Sequence, residues 1–240
     1  MSATVGSLFS GIGGIDLGLE RAGFEVRWQC EIDPYCRKVL AKHWPDTPCY
    51  EDVRNLPDDI ERVDLICGGY PCQDFSYAGV RRGVHGDKYL WPPMRDCIRR
   101  LRPSVVLIEN VPGHVSLGFD ITLSDLAEMG FDAEWSIVSA CSLGAPHARE
   151  RLFCVAYAAG DDGAHHLPHR LRQAGGHESR GGGGRGGGYR WLPEPEVDRV
   201  AHGIPSSVVR SPLSALGNAV VPQVAEFIGH QLMAHLKEPA

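Results

Sequence analysis

The chain has 240 residues, 43% of them hydrophobic, and a formal net charge of −6, enough apolar material for one large domain or one domain and a small one. No run of about 18 apolar residues occurs, so no membrane-spanning helix is expected. The acidic balance argues against a general nucleic-acid coat but leaves room for a local basic cleft. The start Met1-Ser2-Ala3-Thr4-Val5 lacks a basic stretch ahead of an apolar core, so a cytoplasmic protein is expected. Its eight cysteines form no Cys-x-x-Cys pair and are expected as free thiols.

Taken in chain order, Thr4–Phe9 reads as a strand, Gly11–Gly14 as a turn and Ile15–Ala22 as a helix. Phe24–Cys30 is a second strand. Pro34–His43 is a second helix, capped by Asp33 with Pro34 at its first position. A short strand fits near Cys49-Tyr50, and Val63–Cys67 is a clear apolar one. A helix over Asp87–Leu101, a strand over Ser104–Glu109 and a helix over Leu117–Met129 follow. Strands over Ala133–Ala140 and Leu152–Ala158 end the regular part. This alternation predicts a mostly parallel sheet with helices on both faces. Residues 160–190 are Gly-rich with little apolar content and read as a flexible segment; Val220–Leu236 returns to an apolar helix. The expected organisation is one domain built from 1–158 and 212–240, with a Gly-rich stretch between them at 159–211.

Cys72 lies in Cys67-Gly68-Gly69-Tyr70-Pro71-Cys72-Gln73, just past a strand on a Gly/Pro loop, a position for a nucleophile rather than a core thiol. Cys30, Cys67, Cys97, Cys141 and Cys154 lie in or beside apolar segments and read as core fillers. Phe9-Ser10-Gly11-Ile12-Gly13-Gly14 joins strand to helix without matching Gly-x-Gly-x-x-Gly. It is either an ordinary tight turn or a place where backbone meets a ligand. Glu31, at the end of the second strand, favours the second reading, because an acid there can bond ribose hydroxyls. Asp52 fits either an adenine amino group or a helix cap. Glu109 ends an apolar strand on the same rim as Cys72, where burial can raise its pKa and let it donate a proton. Arg149 and Arg151, just before the last strand, are expected to point to opposite faces, one into the cleft and the other toward a phosphate or a structural acid.

Together these pieces resemble the C5-cytosine DNA methyltransferases. The family's motifs occur in order: Phe9 to Gly14; Glu31 with Asp33; Asp52-Val53; Gly69 to Gln73 with Phe75-Ser76; Glu109-Asn110-Val111; Arg149-Glu150-Arg151; and Gly217 to Val220. The resemblance covers residues 4–157 and about 212–236. It implies a Rossmann-like α/β methyltransferase fold with a mostly parallel seven-stranded sheet, and S-adenosylmethionine as cofactor. Phe9, Gly11, Ile12, Gly13 and Gly14 would line its methionine and ribose. Glu31 would take the ribose hydroxyls, Ile32 would pack on adenine, and Asp52 and Val53 would read its edge. Leu90, Asn218 and Val220 would close the pocket. The resemblance makes Cys72 the thiolate that adds to cytosine C6 and Glu109 the group that protonates or hydrogen-bonds N3. Arg151 would orient the base carbonyl, and Arg149 would hold the Cys loop or a phosphate. Gln73, Ser76, Arg81 and Arg82 would contact the DNA. The implied partner is double-stranded DNA with a flipped-out cytosine, bound by a monomer needing neither metal nor membrane, in a restriction-modification or phage setting.

The chain departs from the family's pattern between Arg151 and Gly217, where a substantial target-recognition region is usual and only about sixty residues remain; the resemblance thus implies a catalytic, cofactor-binding domain over 1–158 and 212–240, with 159–211 a reduced target-recognition region or a linker. Position 147 is His where the family often has Gln. Two other readings use the same fold: a transfer-RNA cytosine-5 methyltransferase, and a non-catalytic regulator binding S-adenosylmethionine or DNA. An oxidoreductase is disfavoured by the glycine spacing, and a zinc site by the lack of Cys partners at finger spacing for the histidines near 165–169.

Overall fold

The apolar run Val105-Val106-Leu107-Ile108 lies in the interior of a seven-stranded sheet, and all four side chains are fully buried. Such an unbroken run needs cover on both faces. Val105 and Leu107 join one apolar cluster, while Val106 and Ile108 join another on the opposite face. The computed structural model describes residues 2–71, 89–159 and 215–237. Its strands are β1 (Thr4–Leu8), β2 (Glu25–Cys30), β3 (Cys49–Tyr50), β4 (Leu65–Gly68), β5 (Val105–Asn110), β6 (Phe131–Ser139) and β7 (Glu150–Ala158). Its helices are α1 (Gly14–Arg21), α2 (Pro34–His43), α3 (Trp91–Leu101), α4 (Phe119–Glu128) and α5 (Pro222–Lys237). The strand order is β3-β2-β1-β4-β5-β7-β6. The first five strands run parallel, and β7 is antiparallel to both β5 and β6.

The order reverses between β1 and β4, which makes the carboxyl ends of these two strands the natural crevice of the sheet. The register sets what meets there. Leu8 pairs with Gly68 and Gly68 with Ile108, so Phe9, Gly69 and Glu109 emerge at one level. On one face α1 and α5 pack closely because glycines line their contact. A Cβ on Gly18 would come within 2.4 Å of the Pro222 carbonyl oxygen and 2.5 Å of Ala225 Cβ. One on Gly229 would lie 2.7 Å from Ala22 Cβ. On the other face α3 and α4 bury Trp91, Met94, Ile98, Phe119 and Leu126. Asp33 caps α2 as expected: its Oδ1 accepts from the amides of Tyr35 at 2.7 Å and Cys36 at 3.1 Å, an arrangement that stabilises a helix by about 1 kcal/mol.

Several expectations shift. β1 stops at Leu8 because Phe9 has φ 54°, outside the strand region. The predicted helix over Leu117–Met129 begins at Phe119, since Gly118 at φ 107° breaks the chain from a 3-10 turn over Pro112–Ser116. α3 begins at Trp91, with Pro92 and Pro93 in its first turn. Cys141 is exposed on a 3-10 turn rather than buried in the core, because the strand before it ends at Ser139. Cys30, Cys67, Cys97 and Cys154 are buried free thiols. Cys72, Gln73, Ser76, Arg81 and Arg82 lie outside the described residues, as do the predicted helix start at Asp87 and residues 160–211. Among the described residues no helix is long and apolar enough to cross a membrane, and no cluster of three or more His, Cys, Asp or Glu could hold a metal.

Candidate active site

The turn after β1 departs from strand geometry at three of its residues. Phe9 (φ 54°), Gly11 (φ 56°) and Gly13 (φ 83°) all take left-handed conformations. For Phe9 this costs energy, which places the strain at the mouth of the crevice. Gly14 is required for packing: a Cβ there would meet the Val220 carbonyl oxygen at 2.4 Å. That contact brings the segment before α5 against the turn, and with it Asn218.

Glu31 follows β2 and reaches back under the turn. Its Oε2 accepts from the Gly11 amide at 2.7 Å and its Oε1 from the Asp33 amide at 2.8 Å. Each carboxylate oxygen keeps a further lone pair for a ligand. Asp52 caps a 3-10 turn over Val53–Asn55, accepting from the Arg54 amide at 2.9 Å. It also pairs with the Arg54 guanidinium at 2.5 Å, and the hydrogen bonds from that side chain hold its pKa below the usual carboxylate range. The cap is therefore real, and any ligand contact by Asp52 shares the carboxylate with Arg54.

Glu109 sits next to the end of β5 and is 8% exposed. Its Oε1 is 3.0 Å from Arg151 Nε on the neighbouring strand β7. Gly69 lies so close that a Cβ on it would meet Glu109 Oε2 at 2.5 Å. Burial pushes the Glu109 pKa up to about 7, against the opposing pull of Arg151 and Arg149. A carboxyl with that pKa can hold and release a proton near neutrality.

The two arginines do not point apart as expected. Residues two positions apart share a face of an extended chain, and the charges of both act on Glu109. Arg151 forms the ion pair, while Arg149 donates through Nη2 to the Gly217 carbonyl oxygen at 2.7 Å. Arg149 thus ties the start of β7 to the segment carrying Asn218 and Val220.

A cavity of about 460 Å³ joins these groups. Phe9, Gly11, Gly14, Glu31 and Ile32 line one side, with Asp52 and Val53 beyond them. Leu90, Glu109, Arg151, Asn218 and Val220 line the rest. Ile12, Gly13 and Arg149 instead line a second cleft of about 920 Å³, which shares Gly14, Arg151 and Val220 with the first. It is larger, but neither Glu31 nor Glu109 faces it.

Two supports were not assigned from the sequence. Asn110 donates through Nδ2 to the Tyr70 carbonyl oxygen at 3.4 Å and accepts from the Val111 amide at 2.9 Å, fixing Tyr70 against β5. The buried Tyr70 hydroxyl pairs with His114 Nε2 and lies 3.0 Å from Thr122 Oγ1. Burial lowers the His114 pKa to about 4, so the ring is neutral there. Asn110 could have been found, since it stands within Glu109-Asn110-Val111. His114 carried no signal, because nothing in its local sequence marks it as buried.

Sheet order, crevice and fold likeness give the chain a Rossmann-like α/β fold. It belongs to the C-5 cytosine-specific DNA methylase family, whose model matches residues 3–174. It is 35% identical over 159 residues to the type II methyltransferase M2.BsuMI of Bacillus subtilis, covering 62% of this chain and 41% of that protein. It is 34% identical over 158 residues to the type II methyltransferase M.FnuDI of Fusobacterium nucleatum, covering 63% and 46%. The Dnmt2 methyltransferase of S. pombe shares the fold, with a TM-score of 0.60 at 19% identity over 74% of this chain and 57% of that one. The chain spans about half the length of the curated relatives it matches.

Proposed function

We propose that the chain acts as a DNA (cytosine-5-)-methyltransferase, moving a methyl group from S-adenosylmethionine to C5 of a cytosine turned out of the duplex. The observation that carries this is the pairing of the buried Glu109 with Arg151, held against Gly69 two residues before Pro71. The pair lines the same cavity as a second acid, Glu31. The cavity fits the cofactor: about 460 Å³ lies in the usual range of roughly 300–1,000 Å³ for such ligands. Glu31 offers free lone pairs suited to two ribose hydroxyls. Ile32, 58% exposed, offers an apolar surface to adenine. Asp52 and Val53 read the adenine edge, and Leu90, Asn218 and Val220 close over the ligand. S-adenosylmethionine, when bound, supplies a methyl group whose bond to sulfur breaks with the electron pair returning to sulfur.

The protein's task is to make C5 of cytosine nucleophilic. Cys72, as thiolate, adds to C6 of the ring, and the electron pair moves toward N3. Glu109 gives N3 a proton or a hydrogen bond, which stabilises the charge that addition creates. Arg151 orients the base carbonyl and keeps Glu109 in place. C5 then takes the methyl group. A base removes the C5 proton, and its electron pair restores the ring double bond as the Cys72 thiolate leaves. The target carbon cannot be reached inside a duplex, so the base is flipped out; Gln73, Ser76, Arg81 and Arg82 are the proposed DNA contacts.

Cys72→Ser is expected to abolish incorporation of tritiated methyl groups into DNA while the dissociation constant for S-adenosylmethionine stays within about twofold, as expected of a nucleophile that bonds to the base and not to the cofactor. Incorporation that persisted in this variant would remove Cys72 from the mechanism.

A further inference from the structure

Asp16 has no part in the mechanism above, yet it is a fully buried carboxylate in the first turn of α1. Ser7 donates to its Oδ2 at 3.1 Å and Gln29 Nε2 to its Oδ1 at 2.8 Å. Both neighbours are themselves buried, Ser7 on β1 and Gln29 on β2. These side-chain groups both face the carboxylate as donors. The Gln29 amide is turned so that its nitrogen faces Asp16, which leaves Oε1 without a hydrogen-bond partner among the described residues. Among those residues no cation pairs with Asp16 either. A buried anion with donors but no counter-charge is costly to keep.

Its position suggests what the charge faces. The Ser7 hydroxyl that bonds Asp16 is 2.9 Å from Ser10 Oγ, and Ser10, Gly14 and Ile15 line the cavity. Asp16 therefore lies directly behind the glycine turn. On the functional reading above, the ribose sits at Glu31 and the accepting base at Glu109. On that reading the sulfur of the donor would lie between them, beside that turn. We propose that Asp16 is a specificity-determining residue, whose buried negative charge favours the sulfonium donor over its neutral thioether product. S-adenosylmethionine and S-adenosylhomocysteine share the adenosine, the ammonium and the carboxylate, and differ in one methyl group and one charge at sulfur. At separations of the order of 10 Å and an effective dielectric near 20, one unit charge changes the affinity for another by on the order of tenfold.

The test is calorimetric titration of the full chain and of Asp16→Asn with the two compounds. The Asn side chain keeps the size and one acceptor while removing the charge. The expected result is about tenfold weaker binding of S-adenosylmethionine with S-adenosylhomocysteine changed by less than about twofold. Equal weakening of both would make Asp16 a shaping residue of the turn only and overturn the inference, as would no change in either. If the unaltered chain bound neither compound, the cofactor reading itself would fall.

A second measurement needs no change at Asp16. Burial raises the Asp16 pKa to about 6, so the preference for the sulfonium compound should shrink as pH falls through 6. The groups facing Asp16 are Glu20 on α1, Cys49 on β3 and Cys67 on β4. Burial pushes both thiols up, out of this range. Glu109 also titrates beside the cavity, near 7, so the series is run in Glu109→Gln. A preference that stayed flat from pH 8 to 5 would contradict the proposal.

Discussion

Glu109 and Asp16 are both buried carboxylates raised above their ordinary values, but their surroundings differ. Glu109 faces Arg151 at 3.0 Å, whereas Asp16 faces two neutral donors. For each the folded pKa exceeds the unfolded one, about 7 against 4.5 and about 6 against 3.8. Their contribution to stability is thus complete at low pH and declines as pH rises through the folded values. Both charges are retained at a cost in stability, which directs attention to function. If Glu109 delivers the proton to N3, its protonated form is the active one. The rate of methyl transfer should then fall as pH rises through about 7, and this falling limb should vanish in Glu109→Gln. The variant should lose at least about 10²-fold in kcat, the lower range for a positioned acid. A pH–rate profile of methyl incorporation for both proteins checks this; an unchanged limb in Glu109→Gln would assign it to another group.

At the scale of elements, the contact between α1 and α5 sets the cavity wall. Gly18→Ala puts a methyl group where the Pro222 carbonyl oxygen lies 2.4 Å away. Neither helix can yield without moving backbone. The substitution should cost about 1–3 kcal/mol in urea unfolding and weaken S-adenosylmethionine binding, because Val220 and Asn218 precede the displaced helix. Gly18→Ala with unaltered stability would mean that the two helices are not locked together. This contact was not legible in the sequence: Gly18 reads there as one more small residue in a helix, and only the approach of a helix two hundred residues later gives it a task. The β5 strand was legible because four consecutive apolar residues need two covered faces, and α2 because Asp33 and Pro34 mark its start. Glu31 and Glu109 were legible because each follows an apolar strand at the rim where ligands bind. The shared side of Arg149 and Arg151 was missed through the period of an extended chain, in which residues two apart point the same way. Phe9 escaped because an aromatic residue after an apolar strand reads as its continuation, while the turn forces a positive φ.

For the whole molecule, the order β3-β2-β1-β4-β5-β7-β6 places the ends of six strands, β1 to β5 and β7, around one cavity. Residues as distant in sequence as Phe9, Glu31, Glu109, Arg151 and Val220 meet only because the chain winds outward in two directions from β1 and β4. The family assignment rests on residues 3–174, and the matched relatives are about twice as long as the part they share with this chain. The test therefore falls on the chemical step proposed for Cys72, Glu109 and Arg151 rather than on the choice of target sequence. The most direct measurement is mechanism-based trapping: incubation of the full chain with S-adenosylmethionine and a duplex containing 5-fluorocytosine, followed by denaturing electrophoresis and peptide mass analysis. Fluorine at C5 cannot leave as a proton does, so the thiolate that adds to C6 stays attached. The account predicts a covalent protein–DNA complex whose DNA is joined through Cys72. A protein that binds the cofactor and the duplex yet forms no covalent complex, or one joined through another residue, would contradict it.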